Sequence, residues 1–295
     1  MDHIARVRTM SIRRLSAAAL AIVGAGGVAA VVAAAAVGWI WPGAGFTLLA
    51  VLTWWQLDRL LSARERDGRA LPARPELYDF DKLNPPMHVE ELGGKTLRQM
   101  TYVVFDTETT GLKPTAGDEI ISIAGVRVVD GEIDEDRPFS RLVDPGMPIP
   151  KESIRFHGIT DDMVKGEAPV TDVIRDFKDW VGDAVLVAHN AAFDMKFLKL
   201  KEEASGVRFD NLVLDTLLLS VFADQDSKNH SLDAMAERMG IDIEGRHTAL
   251  GDSIATAKVF VRLLEMLEAR GVTTLRHAIK GSVKVEDILA LDLDF

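Results

Sequence analysis

Two acidic residues two positions apart, Asp106 and Glu108, follow an apolar run and could bind a metal ion. The run, Thr101-Tyr-Val-Val-Phe105, is rich in β-branched and aromatic residues, which is typical of a buried strand. Because side chains alternate along a strand, both carboxylates point to the same side. Two such charges repel unless a cation lies between them, and Mg²⁺ or Mn²⁺ suits carboxylate oxygens. The pair alone leaves open a solvated strand end without a metal.

A third carboxylate, Asp194, falls in the first turn of a helix that we predict over residues 191–204. The helix dipole favours an acid at this place whatever its function. The preceding run, Ala184-Val-Leu-Val-Ala188, predicts a short buried strand. That strand places the helix start at the sheet edge beside the end of the first strand, so Asp194 is a candidate partner of Asp106 and Glu108.

His247 and Asp252 form a third candidate group. On one continuous helix five positions turn by about 500°, so the two side chains would diverge by about 140°. They converge only if His247 lies in a loop and Asp252 lies in the helix that the loop introduces. This spacing carries weight because it is the third of three ordered acidic motifs.

The three segments resemble the exonuclease motifs of the DEDDh family, which includes the epsilon proofreading subunit of bacterial DNA polymerase III. They read Phe105-Asp-Thr-Glu-Thr-Thr-Gly-Leu112, His189-Asn-Ala-Ala-Phe-Asp194 and His247-Thr-Ala-Leu-Gly-Asp252. Phe156-His-Gly-Ile-Thr160 and Leu214-Asp-Thr216 are also similar to that group. The resemblance covers residues 100–268, a little over half of the chain, and fills every catalytic position in order.

This resemblance implies a ribonuclease-H-like fold and a metal-dependent 3′→5′ exonuclease that releases nucleoside monophosphates from the 3′ end of DNA, most simply single-stranded DNA. Two divalent cations, Mg²⁺ or Mn²⁺, would be bound by Asp106, Glu108, Asp194 and Asp252. His247 would be the general base that takes the proton from the attacking water, a task that suits histidine at neutral pH.

Residues beside two of the motifs are candidates for contact with the terminal nucleotide. The backbone and an apolar side chain could meet it at Thr109, Gly111 and Leu112. Asn190 and Phe193 could contact the strand as well, although Asn190 could instead cap a helix and Phe193 could belong to the core.

The elements that must position these residues form one domain over residues 100–270. A second strand over residues 119–130 should pair antiparallel with a third that runs through Leu142, because Asp130-Gly131 is a hairpin turn signal. A further strand is predicted at 212–215, and helices at 170–181, 231–239 and 249–269. We therefore expect an α/β domain with a ribonuclease-H-like mixed five-stranded sheet and flanking helices, preceded by an N-terminal transmembrane helical hairpin.

The hairpin is predicted because no charged residue or histidine occurs from residue 15 to residue 57. One crossing needs about 20 apolar residues, so the run is too long for a single span, and Pro42-Gly43 divides it. We interpret it as two transmembrane helices, residues 17–41 and a short second span, residues 43–57. Arginines flank the pair on both outer sides, which places both ends, and the nuclease domain, in the cytoplasm at a bacterial inner membrane.

Two other interpretations of the apolar run fit less well. A secretory signal peptide has an apolar core of about 7–15 residues, shorter than this one. A buried hairpin in a soluble core would rarely lack charge for so long. The predicted domains are therefore a membrane hairpin at 1–60, a proline-containing cytoplasmic tether at 61–99, the exonuclease domain at 100–270 and a C-terminal tail at 271–295.

Composition restricts the remaining classes of function. The formal net charge of −11 argues against a protein that coats nucleic acid by bulk electrostatics, and the absence of cysteine excludes disulfides and thiolate metal sites. Two alternatives stay open: a proofreading subunit that joins a DNA polymerase, and a membrane-anchored nucleic-acid-binding scaffold with an inactive nuclease site. RNA also remains a possible substrate, because nothing in the sequence reads a 2′-hydroxyl.

Overall fold

The computed structural model describes residues 76–79 and 82–293, and its centre is a mixed five-stranded sheet in the order β3-β2-β1-β4-β5. Antiparallel pairs join β1 to β2 and β2 to β3, and parallel pairs join β1 to β4 and β4 to β5. The mixed five-stranded sheet predicted from the sequence is confirmed. The strands are β1 (Thr101–Thr109), β2 (Ile120–Val129), β3 (Glu132–Leu142), β4 (Val185–Ala188) and β5 (Val213–Asp215).

The β2–β3 hairpin turns at Asp130 and Gly131, as the sequence predicts. Both residues have positive φ, 53° and 82°, which a two-residue turn of the type I′ class requires. The hairpin leaves β1 in the middle of the sheet, with an antiparallel neighbour on one side and a parallel one on the other. The residues at the end of β1 therefore lie at the centre of one sheet edge.

Helices pack on both sides of this sheet. The four that were predicted lie within two residues of their expected bounds, whereas the apolar segment after β5 forms a helix that its unbroken run of leucines did not reveal. The helices are α1 (Pro86–Leu92), α2 (Lys151–His157), α3 (Asp161–Val164), α4 (Val170–Val181), α5 (Ala191–Ser205), α6 (Thr216–Ala223), α7 (Leu232–Met239), α8 (Ala249–Ala269) and α9 (Leu275–Leu293).

The two faces of β1 have different partners. Tyr102 packs edge-on against Phe260 of α8, with ring centroids 4.8 Å apart. Phe105, on the other face, lies 5.6 Å from the ring of Phe177 on α4. Since side chains alternate along a strand, Asp106 and Glu108 belong to the α8 face.

The prediction of a tether is wrong for the described residues before β1. The Tyr78 amide donates to the carbonyl of Ala192 at 2.8 Å, and the side-chain amide of Asn84 exchanges two hydrogen bonds with the backbone of Val213, at 2.9 and 2.8 Å. Leu83 and Leu97 are buried. These anchors are spaced too irregularly to form a period, which is why the sequence pattern did not reveal them.

The predicted C-terminal tail is also part of the domain. Most of it forms α9, in which Leu275, Ala278, Ile279 and Val285 are buried. Their spacing of three, four and six or seven positions is that of one helix face. Buried apolar contact along that face holds the helix in place, and the amides of Leu275 and Arg276 donate to the carbonyls of Lys95 and Gly93 at 3.2 and 2.9 Å.

In the part of the chain that the structure describes, no helix has the length and apolarity needed to cross a membrane. The predicted spans at 17–41 and 43–57 lie outside the described residues, as does the first part of the predicted tether.

Candidate active site

Three carboxylates converge at the end of β1. Asp106, Glu108 and Asp252 each offer one oxygen, and these oxygens all lie within 4.8 Å of one another. Asp252 reaches the group because α8 packs across β1 and β2. The hydroxyl of Ser253 donates to the carbonyl of Ala124 at 3.1 Å, and Ala124 is the register partner of Asp106 on β2. The first turn of α8 is thus fixed directly opposite Asp106.

His247 and Asp252 come from a loop and a helix respectively, as their spacing predicts. Thr248 caps α8 by accepting a hydrogen bond from the amide of Gly251 at 3.1 Å. His247 lies just before the cap, exposed and in the left-handed region at φ 63°. A Cβ atom at Gly251 would lie 2.2 Å from the carbonyl oxygen of Gly245, so the loop that carries His247 rests directly on the helix start.

Asp194 approaches the same strand end from the other face of the sheet. It is buried in the first turn of α5, and its Oδ1 accepts from the amide of Thr107 at 3.1 Å and from the Thr107 hydroxyl at 2.5 Å. Its oxygens do not belong to the group that converges within 4.8 Å. Its charge nevertheless raises the pKa of Asp106 and of Glu108, so the fourth carboxylate acts electrostatically on both acids of β1.

Burial opposes ionisation throughout this cluster, and repulsion from the neighbouring carboxylates adds to it at Asp106 and Glu108. Burial raises the pKa of Asp106 well above its ordinary range, and the charges of Asp194, Glu108 and Asp252 raise it further. Burial raises the pKa of Glu108 to about 7, and the neighbouring carboxylates add to that shift. Burial raises the pKa of Asp194 to about 7 as well, although the Thr107 hydrogen bonds oppose the shift. A cation among these groups would favour their ionised forms and lower their pKa values.

The donor set fits divalent cations. Hard cations such as Mg²⁺ and Mn²⁺ take carboxylate oxygens, and the described residues bring such oxygens together at this strand end. Asp252 supplies a further sign, because its Oδ1 is buried and has no hydrogen-bond partner. A buried carboxylate oxygen without a donor is costly unless a cation satisfies it.

Arg246 occupies part of this site, and the sequence analysis missed it. Its Nη1 donates to Asp252 Oδ2 at 2.5 Å, while its Nε and Nη2 bind the two oxygens of Asp233 at 2.7 and 3.1 Å. Asp233 lies in the first turn of α7. The position of Arg246 directly before His247 indicated that it lies near the site. No spacing in the sequence, however, links Arg246 to Asp233 on another helix.

A buried acid, Asp215, holds the starts of two helices beside the site. Its carboxylate accepts from the amides of Asn190 and Ala191 at the start of α5, at 3.0 and 2.9 Å. It also accepts from the amide of Leu217 in α6 at 2.8 Å. Burial raises its pKa to about 6, against the effect of these donors. By fixing the start of α5, Asp215 fixes the backbone that carries Asp194.

The candidate substrate residues Thr109, Gly111 and Leu112 form a tightly folded segment at the end of β1. The Thr109 hydroxyl donates to the carbonyl of Gly111 at 2.7 Å. A Cβ atom at Gly111 would come within 2.3 Å of the Asp118 carboxylate, so a larger residue there would require that side chain to shift. The Leu112 side chain is 37% exposed, and its carbonyl accepts from the Glu76 amide at 2.9 Å.

The other two candidates lie at the start of α5. Asn190 occupies the N-cap position of α5, as the alternative suggested, with φ 64°, but its side chain makes no capping hydrogen bond. Phe193 is half-buried and packs edge-on against Phe197 with ring centroids 5.3 Å apart. It therefore contributes to the core, as the alternative suggested, and keeps a partly exposed surface.

An exposed aromatic residue near the same loop belongs to a segment singled out by the resemblance, but its exposure was not predicted. Phe156 on α2 is 73% exposed. The hydroxyl of Ser153, on the same helix, donates to the carbonyl of Thr110 at 2.6 Å, which holds α2 beside the loop after β1. A lone aromatic residue in a short amphiphilic stretch carries no sequence signal that distinguishes a core position from a surface position.

Comparison with known proteins identifies the family. The exonuclease family model matches residues 103–260, more than half of the chain. The chain is 51% identical over 203 residues to a DNA polymerase III subunit epsilon-like protein of Rhodobacter capsulatus, covering 68% of this chain and 29% of that protein. It is 44% identical over 170 residues to the PolC-type DNA polymerase III of Listeria welshimeri, covering 57% of this chain and 12% of that one.

This chain thus spans less than a third of the length of either relative. Among solved structures, the nuclease domain of 3′hExo, a DEDDh family member bound to rAMP, has the same fold. Its TM-score is 0.51 at 21% identity, over 58% of this chain and 94% of that domain. The resemblance to DEDDh exonucleases drawn from the three motifs is confirmed, and the chain belongs to the exonuclease family.

Proposed function

We propose that this protein is a metal-dependent 3′→5′ exonuclease that releases nucleoside monophosphates from the 3′ end of DNA. The observation that carries the proposal is the convergence of Asp106, Glu108 and Asp252 within 4.8 Å, with Asp194 beside them, in a chain of the exonuclease family. Carboxylates whose charges oppose one another this strongly are characteristic of functional sites.

In this proposal the cluster holds two divalent cations, Mg²⁺ or Mn²⁺. Asp106, Glu108, Asp194 and Asp252 would hold these ions between them, and the oxygens of Asp106, Glu108 and Asp252 lie within 4.8 Å of one another. When bound, the ions lower the pKa of the attacking water and stabilise the charge on the leaving 3′ oxygen. Thr107 keeps Asp194 oriented by its two hydrogen bonds, so this carboxylate need not reorganise during the reaction.

His247 is the general base of the proposed reaction. Its imidazole is exposed on the loop before α8 and is therefore able to approach a water at the carboxylate cluster. The strained φ of 63° is held by the contact of the loop with Gly251. Strained backbone of this kind costs of order 1–3 kcal/mol and persists where the surroundings fix it, often at active sites.

The DNA strand would approach over the loop after β1. Leu112, Phe156 and Phe193 offer apolar or aromatic surface to the terminal bases, and base stacking on such side chains is tolerant of sequence. Asn190 and the backbone from Thr109 to Gly111 offer hydrogen bonds to the terminal nucleotide. We propose single-stranded DNA as the preferred form, since an unpaired end reaches these residues without melting.

A proofreading role beside a DNA polymerase is the second candidate. It is favoured by the names of the two relatives, an epsilon-like subunit and a PolC-type polymerase. Copurification of the full chain with a polymerase would support it over a free-standing enzyme. The scaffold alternative, with an inactive nuclease site, is disfavoured because every acid of the DEDDh pattern is present.

The proposed enzyme is tethered to the lipid bilayer of a bacterial inner membrane through residues 17–57, with the nuclease domain in the cytoplasm. The support is the uncharged run and the arginines on both sides of it. DNA and free Mg²⁺ are found on that side of the membrane, so the proposed topology and the proposed chemistry agree.

Digestion of 5′-labelled substrates by the detergent-solubilised full chain tests the proposed activity. Single-stranded DNA, duplex DNA and RNA are compared in Mg²⁺, in Mn²⁺ and in EDTA. We expect a ladder that shortens progressively from the 3′ end, fastest on single-stranded DNA and absent in EDTA. Internal cuts, immediate release of the labelled 5′ nucleotide or undiminished activity in EDTA would refute the proposal.

A further inference from the structure

Arg246 forms ion pairs with two acids at once, one of which belongs to the carboxylate cluster. We propose that Arg246 is a built-in counter-cation that binds Asp252 in the metal-free enzyme and gives it up when a divalent cation binds. Arg246 then sets the affinity of the site for metal by competing with it. This inference rests on the proposed function, because it assumes that the cluster is a metal site.

The geometry divides the guanidinium into two parts. Nη1 binds the buried acid, Asp252, whose side chain is 8% exposed. The opposite edge, formed by Nε and Nη2, binds Asp233, whose side chain is 63% exposed. One guanidinium thus bridges the start of α8, where Asp252 lies, and the start of α7, where Asp233 lies.

The charges explain why the contact with Asp252 is replaceable. A single positive charge cannot neutralise three converging carboxylates, and Asp252 keeps one buried oxygen without a partner despite the arginine. The charge of Arg246 also acts on the wider cluster, since it lowers the pKa of both Asp106 and Glu108. A divalent cation among the three oxygens compensates them more fully and removes the need for the arginine.

Asp233 gives the displaced arginine a place to remain. The contact with Asp252 uses one nitrogen, whereas the contact with Asp233 uses the paired Nε and Nη2 donors. Forked contacts of this kind are stronger and more directional than single ones. Release of Asp252 therefore breaks one hydrogen bond and leaves Arg246 tied to α7, close enough to return when the metal leaves.

A competing interpretation treats Arg246 as a fixed strut that orients Asp252 for the metal. The two interpretations predict opposite changes in metal affinity when Arg246 is removed. If Arg246 is a strut, its removal leaves Asp252 misplaced and weakens metal binding. If it is a competing cation, its removal tightens metal binding, because one positive charge leaves the vicinity of the site.

Titration of the metal-free full chain with Mn²⁺ alone, followed by calorimetry, separates these interpretations. The test variant is Arg246→Gln, which keeps a polar side chain of similar length. The matched control is Arg262→Gln on α8, which removes an equal charge about 15 Å along the helix axis from Asp252. Arg262 forms an exposed ion pair with Glu265 and does not contact the cluster.

We expect Arg246→Gln to bind Mn²⁺ about tenfold more tightly than the wild type, as loss of one charge a few ångströms from the ion predicts. Arg262→Gln should match the wild type. Unchanged or weaker Mn²⁺ binding by Arg246→Gln would overturn the inference while leaving the proposed function intact. A wild-type chain that binds no Mn²⁺ would overturn the proposed function itself, so the two failures are distinguishable.

Thermal unfolding supplies a second readout that does not depend on catalysis. In EDTA, Arg246→Gln should unfold at a lower temperature than the wild type because the carboxylates lose their counter-charge. Saturating Mn²⁺ should bring the two unfolding temperatures together. Should Arg246→Gln fail to fold, Arg246→Met replaces it: it also removes the charge while keeping a side chain of similar length, so it should bind Mn²⁺ more tightly than the wild type.

Discussion

The chemical roles that we propose for individual side chains at the candidate active site follow from where each side chain lies. His247 is exposed on a strained loop, while Asp252 is fixed in the adjoining helix turn. This separation allows the imidazole to act on a proton without being a ligand. Because of this separation, the proposed base His247 can be substituted without displacing the carboxylates.

We therefore predict that His247→Ala slows hydrolysis by about 10²–10⁴, the usual contribution of a general base. The affinity for Mn²⁺ should be largely kept, because no carboxylate is changed. The pH–rate profile decides the role: its acidic limb should disappear in the variant. A variant with an unchanged acidic limb would show that another group deprotonates the water.

The raised pKa values predict how stability depends on pH when the metal is removed. Glu108 and Asp194 have folded pKa values of about 7, whereas acids in an unfolded chain titrate near 4. Between about pH 4 and pH 7 the folded state thus binds more protons than the unfolded state. The free energy of unfolding must then fall as pH rises through that window.

Urea unfolding in EDTA at pH 5 and at pH 8 measures this effect. The metal-free protein should be more stable at pH 5, and Glu108→Gln should reduce the difference. Saturating Mn²⁺ should raise stability mainly at pH 8, where the ionised carboxylates bind it. Equal stability at both pH values in EDTA would contradict the origin that we assign to these shifts.

Residue spacing predicted which carboxylates belong to the site, but it did not predict the ion pairs and hydrogen bonds between the residues of the site. The strand period placed Asp106 and Glu108 on one side, and the helix period separated His247 from Asp252 correctly. The contact of Arg246 with Asp233 joins a loop to a different helix, so no local period could reveal it. The hydrogen bonds from Thr107 to Asp194 cross between a strand and a helix and were hidden for the same reason.

At the scale of elements, the close approach of α8 to the preceding loop is the decisive packing feature of the site. Gly251 leaves no space for a side chain, since an added Cβ would meet the backbone of Glu244 and Gly245 at 2.5 and 2.2 Å. The loop that would have to move carries Arg246 and His247. Packing at this glycine is therefore linked to the position of the proposed base.

We predict that Gly251→Ala destabilises the protein by about 1–3 kcal/mol, as overpacking of close contacts usually does. It should also slow hydrolysis more than it weakens Mn²⁺ binding, because the base moves and the acids remain. Gly94→Ala is the matched control, since a Cβ there meets no atom within 4 Å. Wild-type hydrolysis by Gly251→Ala would show that the loop tolerates the shift.

The sequence predicted the core elements of the domain better than its borders. The strand β1 was found from its run of β-branched and aromatic residues, and α4 was found because its helical period records which face is buried. The segment before β1 was read as a tether because its anchors, Leu83, Asn84 and Leu97, follow no period. The helix α9 does have a helical spacing of buried residues, so its apolar pattern was present in the sequence and was not used.

For the whole molecule, the proposed membrane anchor decides where the nuclease acts. We predict that the full chain fractionates with membranes and that protease added to intact spheroplasts leaves the nuclease domain uncut. Arginines on both outer sides of the uncharged run favour this topology. Digestion before the membrane is broken would place the domain on the opposite face, as expected if the short second span, residues 43–57, does not cross.

The hydrolysis rate of Asp106→Asn tests the central claim most directly, that the carboxylates at the end of β1 are the metal-dependent catalytic centre. The rate is measured on 5′-labelled single-stranded DNA in saturating Mg²⁺, against the wild type and Asp176→Asn, a change at an exposed acid on α4. We predict that Asp106→Asn folds normally and retains less than about a tenth of the wild-type rate, as removal of a catalytic group typically causes. Asp176→Asn should match the wild type. A folded Asp106→Asn enzyme that retains more than that fraction would contradict the assignment of this cluster as the active site.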